Sequence, residues 1–399
     1  MERSPALTEV VVTAADHPTG LGTARALAAP DVSLTGLCHS LTAPCSRSRV
    51  WRRLVAVPAG SATAALEALL SLGRAAGGPR VLFPADDGSV ELVSRHRDEL
   101  APYFRFVLPA PEIVEQLLNK TEFHLWASQR GFPVPETHIA ETDAGLAAVL
   151  RDIRYPVVLK PLWRTPAWET KSPNHKAYRL LRPEDLGQLG FSPFEAAPKF
   201  VVQRWIEGGD DDVHFCLTYV NAQGEELGFF AGRKYLQWPP QTGSTAICVG
   251  ETNEALLDLT RSLWRETGFK GIGSLEAKFC AAERKYYITE PTVGRNNLQS
   301  YVAVAGGVNL SRIALRDALG LPAPARVRPR GAVWINEPFA LLALREAFAR
   351  RKPERRTLRG LLTAFRRVGF AYFAIADPRP WLNLVWLQLR RLGAGASSA

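Results

Sequence analysis

The sequence predicts an α/β module with a parallel sheet, followed by an α+β module built on antiparallel strands. Three observations carry this. Residues 9–110 alternate short apolar runs with helical patterns, and from Lys199 onward the pattern is strand-rich with turn signals between the runs. The chain is also 399 residues long, which favours two or three modules over one.

In the first module EVVVTA leads into the helical pattern Gly20–Ala29, and RVLFPADD leads into VELVSRHRDELAPYF. Strand, turn and helix in alternation argue for a sheet of Rossmann-like type. TGLGTAR at 19–25 is read as a tight strand-to-helix turn rather than a dinucleotide site, because no acidic residue follows at ribose-reading spacing. Asp86 and Asp87 stand at the strand edge where such sheets bind ligands, and helix N-capping explains them almost as well. The second section opens on EIVEQLLNKTEFHLWASQRG, read as one amphipathic helix ended by Gly131, followed by the helix AGLAAVLRDI and the strand YPVVLK. The stretch from Pro161 to Pro198 gives little regular structure. Beyond it, 213–220 with 227–235 and 273–279 with 285–291 read as hairpins.

The last hairpin brings chemistry together. A turn centred on 282–284 gives opposed residues an index sum near 566, which sets Glu276 opposite Glu290. Two carboxylates on one face with Cβ atoms about 5 Å apart repel unless a cation compensates them. A hard divalent ion would do so, and magnesium on phosphates commonly uses one or two carboxylates. Three lysines follow elements that could converge on a triphosphate: Lys120 after a helix, Lys160 at the end of YPVVLK, and Lys234 at the end of ELGFFAGRK. The seven histidines are scattered, and no Ser–His–Asp or Cys–His arrangement is apparent.

In this order the motifs resemble the ATP-grasp superfamily: Lys120 in LLNKTEF, Lys160 in VVLKP, QRWIEGGD at 203–210, Glu276 in SLEAKF and Glu290 in ITEPTVGRN. The strings GRKYLQWPP and EPTVGRNNLQS are similar to the carboxylate–amine ligase-like branch near the D-aspartate ligases. The resemblance covers most of residues 1–320. It implies a Rossmann-like pre-ATP-grasp domain at 1–110 and an ATP-grasp domain at 111–320, divided at 198/199. It also implies ATP and one or two Mg²⁺ as cofactors, with small carboxylate and amine (or thiol) substrates joined through an acylphosphate.

The site residues implied are Lys120 and Lys160 on ATP, and Gln203, Arg204, Trp205 and Ile206 as a hinge whose backbone at Arg204 and Ile206 reads adenine. Asp210 is expected on the ribose, with Asp211 as its competitor. Lys234 and Arg295 are expected to stabilise transferring or acceptor charge, and Glu276 and Glu290 to bind magnesium. Two departures stand out. The family's Asn two residues after the second Glu is Thr292 here, and WRTPAWETKSPNHKAYRL replaces the glycine-rich phosphate loop, with Lys176 or His175 as candidate substitutes. These departures keep open an alternative, an ATP-binding regulatory pseudoenzyme held at a membrane by its tail.

That tail is basic. Residues 321–399 carry fifteen Arg/Lys against four acids, a local net of +11 in a chain of net +10, so the rest nets −1. The asymmetry argues against treating the whole chain as a nucleic-acid binder. A helical extension is expected, with residues 340–399 either packing on the body or touching an anionic membrane surface. Self-association as a homodimer is left open. Five cysteines without CxxC spacing, no apolar run of spanning length and no secretory leader in MERSPALTEV give the expectation of a cytoplasmic protein, peripheral at a membrane if the tail binds one.

Overall fold

The computed structural model describes all residues except 1–6, 164, 173–176, 323, 325–326, 350–366 and 397–399, and omits the side chains of 348–349 and 391–396. Three sheets organise it. The first is parallel, in the order β3-β2-β1-β4-β5, from β1 (Thr8–Val12), β2 (Val32–Cys38), β3 (Arg53–Ala56), β4 (Arg80–Phe83) and β5 (Phe104–Arg105). The near-continuous apolar runs of β1 and β4 suit a sheet covered on both faces.

TGLGTAR is not the turn. It lies inside the helix Pro18–Leu27, capped by His17. The turn is the preceding stretch, where Ala14 takes φ 47. A Cβ on Gly20 would stand 2.2 Å from the Ala14 carbonyl oxygen, so the glycine allows close helix–turn approach, not phosphate binding. Asp86 caps the helix after β4, Asp87–Arg95, by accepting from the Ser89 N–H at 2.7 Å.

A four-stranded antiparallel sheet, β6-β9-β7-β8, comes from β6 (Thr137–Ala140), β7 (Val157–Pro161), β8 (Tyr178–Leu180) and β9 (Phe200–Arg204). β9 therefore joins the first subdomain although it stands past 198/199. Residues 111–129 form two helices, Pro111–Leu118 and Lys120–Gln129, because Asn119 leaves helical geometry and its side chain accepts from the Glu122 N–H. Part of the stretch 161–198 is ordered around Trp168. This side chain is fully buried on the helix Pro166–Lys171 and meets Tyr178, Phe191 and Phe200 edge to face.

The largest sheet runs β14-β13-β10-β11-β12-β15-β16, from β10 (Val213–Val220), β11 (Glu226–Trp238), β12 (Ser244–Gly250), β13 (Gly271–Cys280), β14 (Lys285–Val293), β15 (Val333–Ile335) and β16 (Val368–Phe370). Both expected hairpins are present. The tail is not purely helical, because β15 and β16 extend this sheet, antiparallel to β12 and parallel to each other. Buried Trp334 makes that extension part of the core, and the same cluster includes Val10 and Phe83 of the parallel sheet with Phe215 and Phe230 of the large one. Glu337 fastens the tail by accepting from the N–H groups of Ala371, Tyr372 and Phe373. Among the described residues no helix is long and apolar enough to cross a membrane. All five cysteines are free and buried.

Candidate active site

A cavity of about 670 Å³ opens between the four-stranded and seven-stranded sheets. Glu276 on β13 faces Glu290 on β14 in the ladder, the pairing expected from sequence. Nearer the turn the sum is lower by one, with Cys280 paired to Lys285 and Ala277 to Ile288. The step is a bulge at Thr289, whose hydroxyl donates to the Glu276 carbonyl at 3.0 Å. Both carboxylates already have cations. Lys234 Nζ lies 2.9 Å from Glu276, and Lys120 Nζ lies 2.9 Å from Glu290 Oε2.

Nine of the sequence-derived site residues line this cavity: Lys120, Gln203, Arg204, Trp205, Ile206, Lys234, Glu276, Glu290 and Arg295. Lys160 shares the face of β7 with Val158, a lining residue. Burial, and next the Lys120 charge, hold its ammonium below the usual lysine range, while Glu290 opposes the shift. Lys176 and His175 lie outside the described residues.

Asp210 is placed elsewhere. Its two oxygens accept from the Gln237 N–H (2.8 Å), Gln237 Nε2 (3.1 Å) and the Gln241 N–H (2.7 Å), and it is absent from the cavity lining. Gln237 Oε1 in turn accepts from Lys234 at 3.2 Å. Asp210 thus ends a relay that runs through Gln237 and Lys234 to Glu276. Its competitor Asp211 faces Arg233, and Asp212 accepts from the Gly209 N–H.

The segment 203–206, expected as the hinge, is fixed from behind. The Arg204 N–H goes to the Glu136 carbonyl and the Trp205 N–H to that of Pro156. The Arg204 guanidinium binds Glu283 and the Tyr287 hydroxyl, and this bond holds the Glu283 carboxyl at about 2. Gln203 Nε2 donates to His124 Nδ1 at 2.6 Å, and His124 Nε2 then donates to the Thr289 carbonyl at 3.0 Å. Burial pushes this imidazole down to about 4, so it is neutral and links the hinge to the bulge beside the glutamates. A histidine in a helix gave no sequence signal for that position.

Further groups complete the wall or stand just behind it. Lys278, two residues beyond Glu276 on the same face of β13, is 6% exposed and sits over the Trp205 ring at 4.9 Å. Arg179 approaches that ring at 4.8 Å. Phe339, from the helix Glu337–Ala349 that packs on β11 and β12, brings the tail into the cavity wall. Arg295 Nε meets Asp87 Oδ1 at 2.6 Å, so Asp87 reaches the cavity only through this arginine. Thr292, 4% exposed, lines the cavity at the position two beyond Glu290.

No protein-family model matches the sequence. Among solved structures, the N5-carboxyaminoimidazole synthetase of Staphylococcus aureus complexed with ADP superposes with TM-score 0.64 at 12% identity, covering 88% of both chains. The L-amino acid ligase of Bacillus licheniformis superposes with TM-score 0.59 at 16% identity, covering 83% of this chain and 80% of that one. The chain has the ATP-grasp fold. In sequence this chain is similar to a D-aspartate ligase of Enterococcus faecium, 23% identical over 245 residues that cover 59% of it and 58% of the relative. It spans from 19% to 58% of the length of the curated relatives it matches. The cavity lies between the two antiparallel sheets of the ATP-grasp fold, with the glutamate pair on the larger one.

Proposed function

We propose that the chain is an ATP- and magnesium-dependent ligase that activates a carboxylate as an acylphosphate for attack by an amine. The observation that carries this is the facing pair Glu276 and Glu290, each matched to a lysine, in a cavity whose opposite wall is a backbone-fixed hinge. The similar D-aspartate ligase and L-amino acid ligase support the ligase class.

The donors fit magnesium. Among the described residues no cluster of three or more His, Cys, Asp or Glu forms an all-protein cage. Two carboxylates completed by phosphate oxygens and water are the usual arrangement for this ion. Glu276 and Glu290 would hold one or two ions, with Thr292 offering a hydroxyl where the family has an amide. Held there, such an ion would supply neutralisation of charge on the phosphates. Lys120 and Lys160 would bind the phosphates. With the Arg204 N–H already engaged, that residue offers the base its carbonyl, and Ile206 its N–H. The base would lie among Val158, Ile206 and Lys278.

In the reaction a substrate carboxylate oxygen attacks the γ-phosphorus and ADP leaves. An amine then attacks the acyl carbon, phosphate departs with the C–O electron pair, and the amine loses a proton. Lys234 and Arg295 face the region where negative charge gathers, and such fixed charge stabilises a transition state without reorganisation. ADP release across a panel of amino acids and small carboxylates tests this. Turnover with one pair and its loss in Glu290→Gln are expected; equal release by that variant refutes the site.

A second reading, an ATP-binding regulator, rests on Thr292 in place of the amide ligand. It requires Mg-ATP binding with no ADP release for any substrate pair.

A further inference from the structure

The terminal helix Arg379–Ala396 has two unlike faces. One is docked: Pro380 is buried, Trp381 meets Phe373 edge to face at 5.9 Å, and the helix packs on the segment Pro44–Arg47. Nearby Asp377 accepts from Ser48 Oγ at 2.6 Å and the Arg49 N–H at 3.1 Å, and Arg25 donates to the Tyr372 carbonyl at 2.7 Å. The other face carries Leu382, Trp386 and Leu389, which are 53%, 50% and 62% exposed. At about 100° per residue these three fall within an arc of about 60°. Arg379 and Arg390 lie along one edge of that arc, and the Arg390 guanidinium sits 4.5 Å from the Trp386 ring centroid. No acidic residue occurs from Pro378 to the C-terminus.

We propose that this face is a docking surface for an anionic lipid bilayer, binding it peripherally with the helix in the plane of the interface. Large apolar side chains need a partner that accepts them at a surface, and scattered single ones do not form a stripe. Charge selects the partner. The helix face carries Arg379 and Arg390 with no acidic residue in its sequence, so an anionic apolar interface complements it where a neutral or basic protein face would not. A tryptophan beside arginines on a short amphipathic helix matches the headgroup level of a bilayer, where the indole is half wet and half apolar. The rigid docking of the opposite face presents the stripe outward, so the helix needs no refolding to bind. The proposal stands apart from the ligase reading, since it uses no cavity residue.

The test is co-sedimentation of the full chain with phosphatidylcholine vesicles and with vesicles holding about one third phosphatidylglycerol. Anionic vesicles should bind at least about tenfold better than neutral ones, with the gain reduced by high salt. The variant Leu382→Glu/Trp386→Glu/Leu389→Glu, at exposed positions, should lose binding on both kinds while keeping the parent melting temperature. Arg379→Ala/Arg390→Ala should weaken only the anionic preference, and slowed amide exchange over 382–390 on vesicle addition locates the contact without a variant. Absence of binding to anionic vesicles overturns the proposal. So does full binding by the triple-glutamate variant, or a dimer in solution that this variant dissociates without any vesicle effect.

Discussion

The Lys234–Glu276 pair allows a test of the site that needs no substrate. Lys234 is 7% and Glu276 18% exposed in their side chains, at 2.9 Å. Replacing Lys234 by Met leaves Glu276 without its ion pair and facing Glu290, whose own pair with Lys120 is on the more exposed side. Breaking a buried pair costs about 3–5 kcal/mol; access of cavity water to Glu276 lowers the expectation to about 2–3 kcal/mol. Glu276→Gln alone should also destabilise, because it strands a buried ammonium. The double variant removes both charges and should lose less than the sum of the singles by at least about 1.5 kcal/mol. Urea unfolding followed by the fluorescence of the ten tryptophans measures each corner of the cycle. Magnesium adds a second reading. With Lys234 absent the ion has no competitor for Glu276, and at a hundred times its Kd it returns about 2.7 kcal/mol. Strict additivity of the two substitutions, or an equal magnesium effect on parent and Lys234→Met, refutes the view that lysine and metal compete for one carboxylate pair.

Other outcomes follow from the same geometry. His124 is held neutral, its pKa lowered to about 4 from an ordinary 6.5, so the unfolded chain binds the extra proton first. Its contribution is present above pH 6.5 and is lost as pH falls toward 4, about 3 kcal/mol in all; thermal melts across that window should show a steep acid limb that His124→Gln flattens. Phe339→Ala should raise the KM of a substrate held in the cavity about tenfold and change kcat little, since the side chain lines the cavity wall. Asp210→Ala removes three accepted N–H bonds and loosens the relay to Lys234, so kcat should fall more than nucleotide affinity; a pure loss of nucleotide affinity would restore the ribose role. Glu337→Ala should speed amide exchange at 371–373, where it now receives the backbone N–H groups, and cost about 2 kcal/mol.

What the sequence made legible is what period and order encode. The parallel sheet follows from alternating apolar runs, and both hairpins follow from strand lengths and turns. Neither Asp210 nor Phe339 could be placed that way. The partners of Asp210 at 237 and 241 are distant in sequence and include two backbone N–H groups, which carry no residue signature. Phe339 reaches the cavity only because β15 joins β12, and a three-residue strand is too short for its period to be read. The ordered core around Trp168 was hidden for a related reason: the aromatic residues that surround it are spread over Tyr178, Phe191 and Phe200, with no repeating interval.

The glutamate pair shows how narrow such inference can be. The turn itself sets a sum of 565, since Cys280 pairs with Lys285, and an unbroken ladder would set Glu276 opposite Thr289. Glu290 would then point to the far face, because successive strand residues alternate sides. Thr289, the inserted bulge residue, restores the pairing, and its hydroxyl anchors the bulge on the Glu276 carbonyl. His124 Nε2 donates to the carbonyl of the same residue, so the hinge contact that runs through Gln203 ends on the backbone that aims Glu290. The two walls of the cavity are therefore set by one hydrogen-bonded path. A change in the register of β14 would misplace the Glu290 carboxylate and the 203–206 segment together.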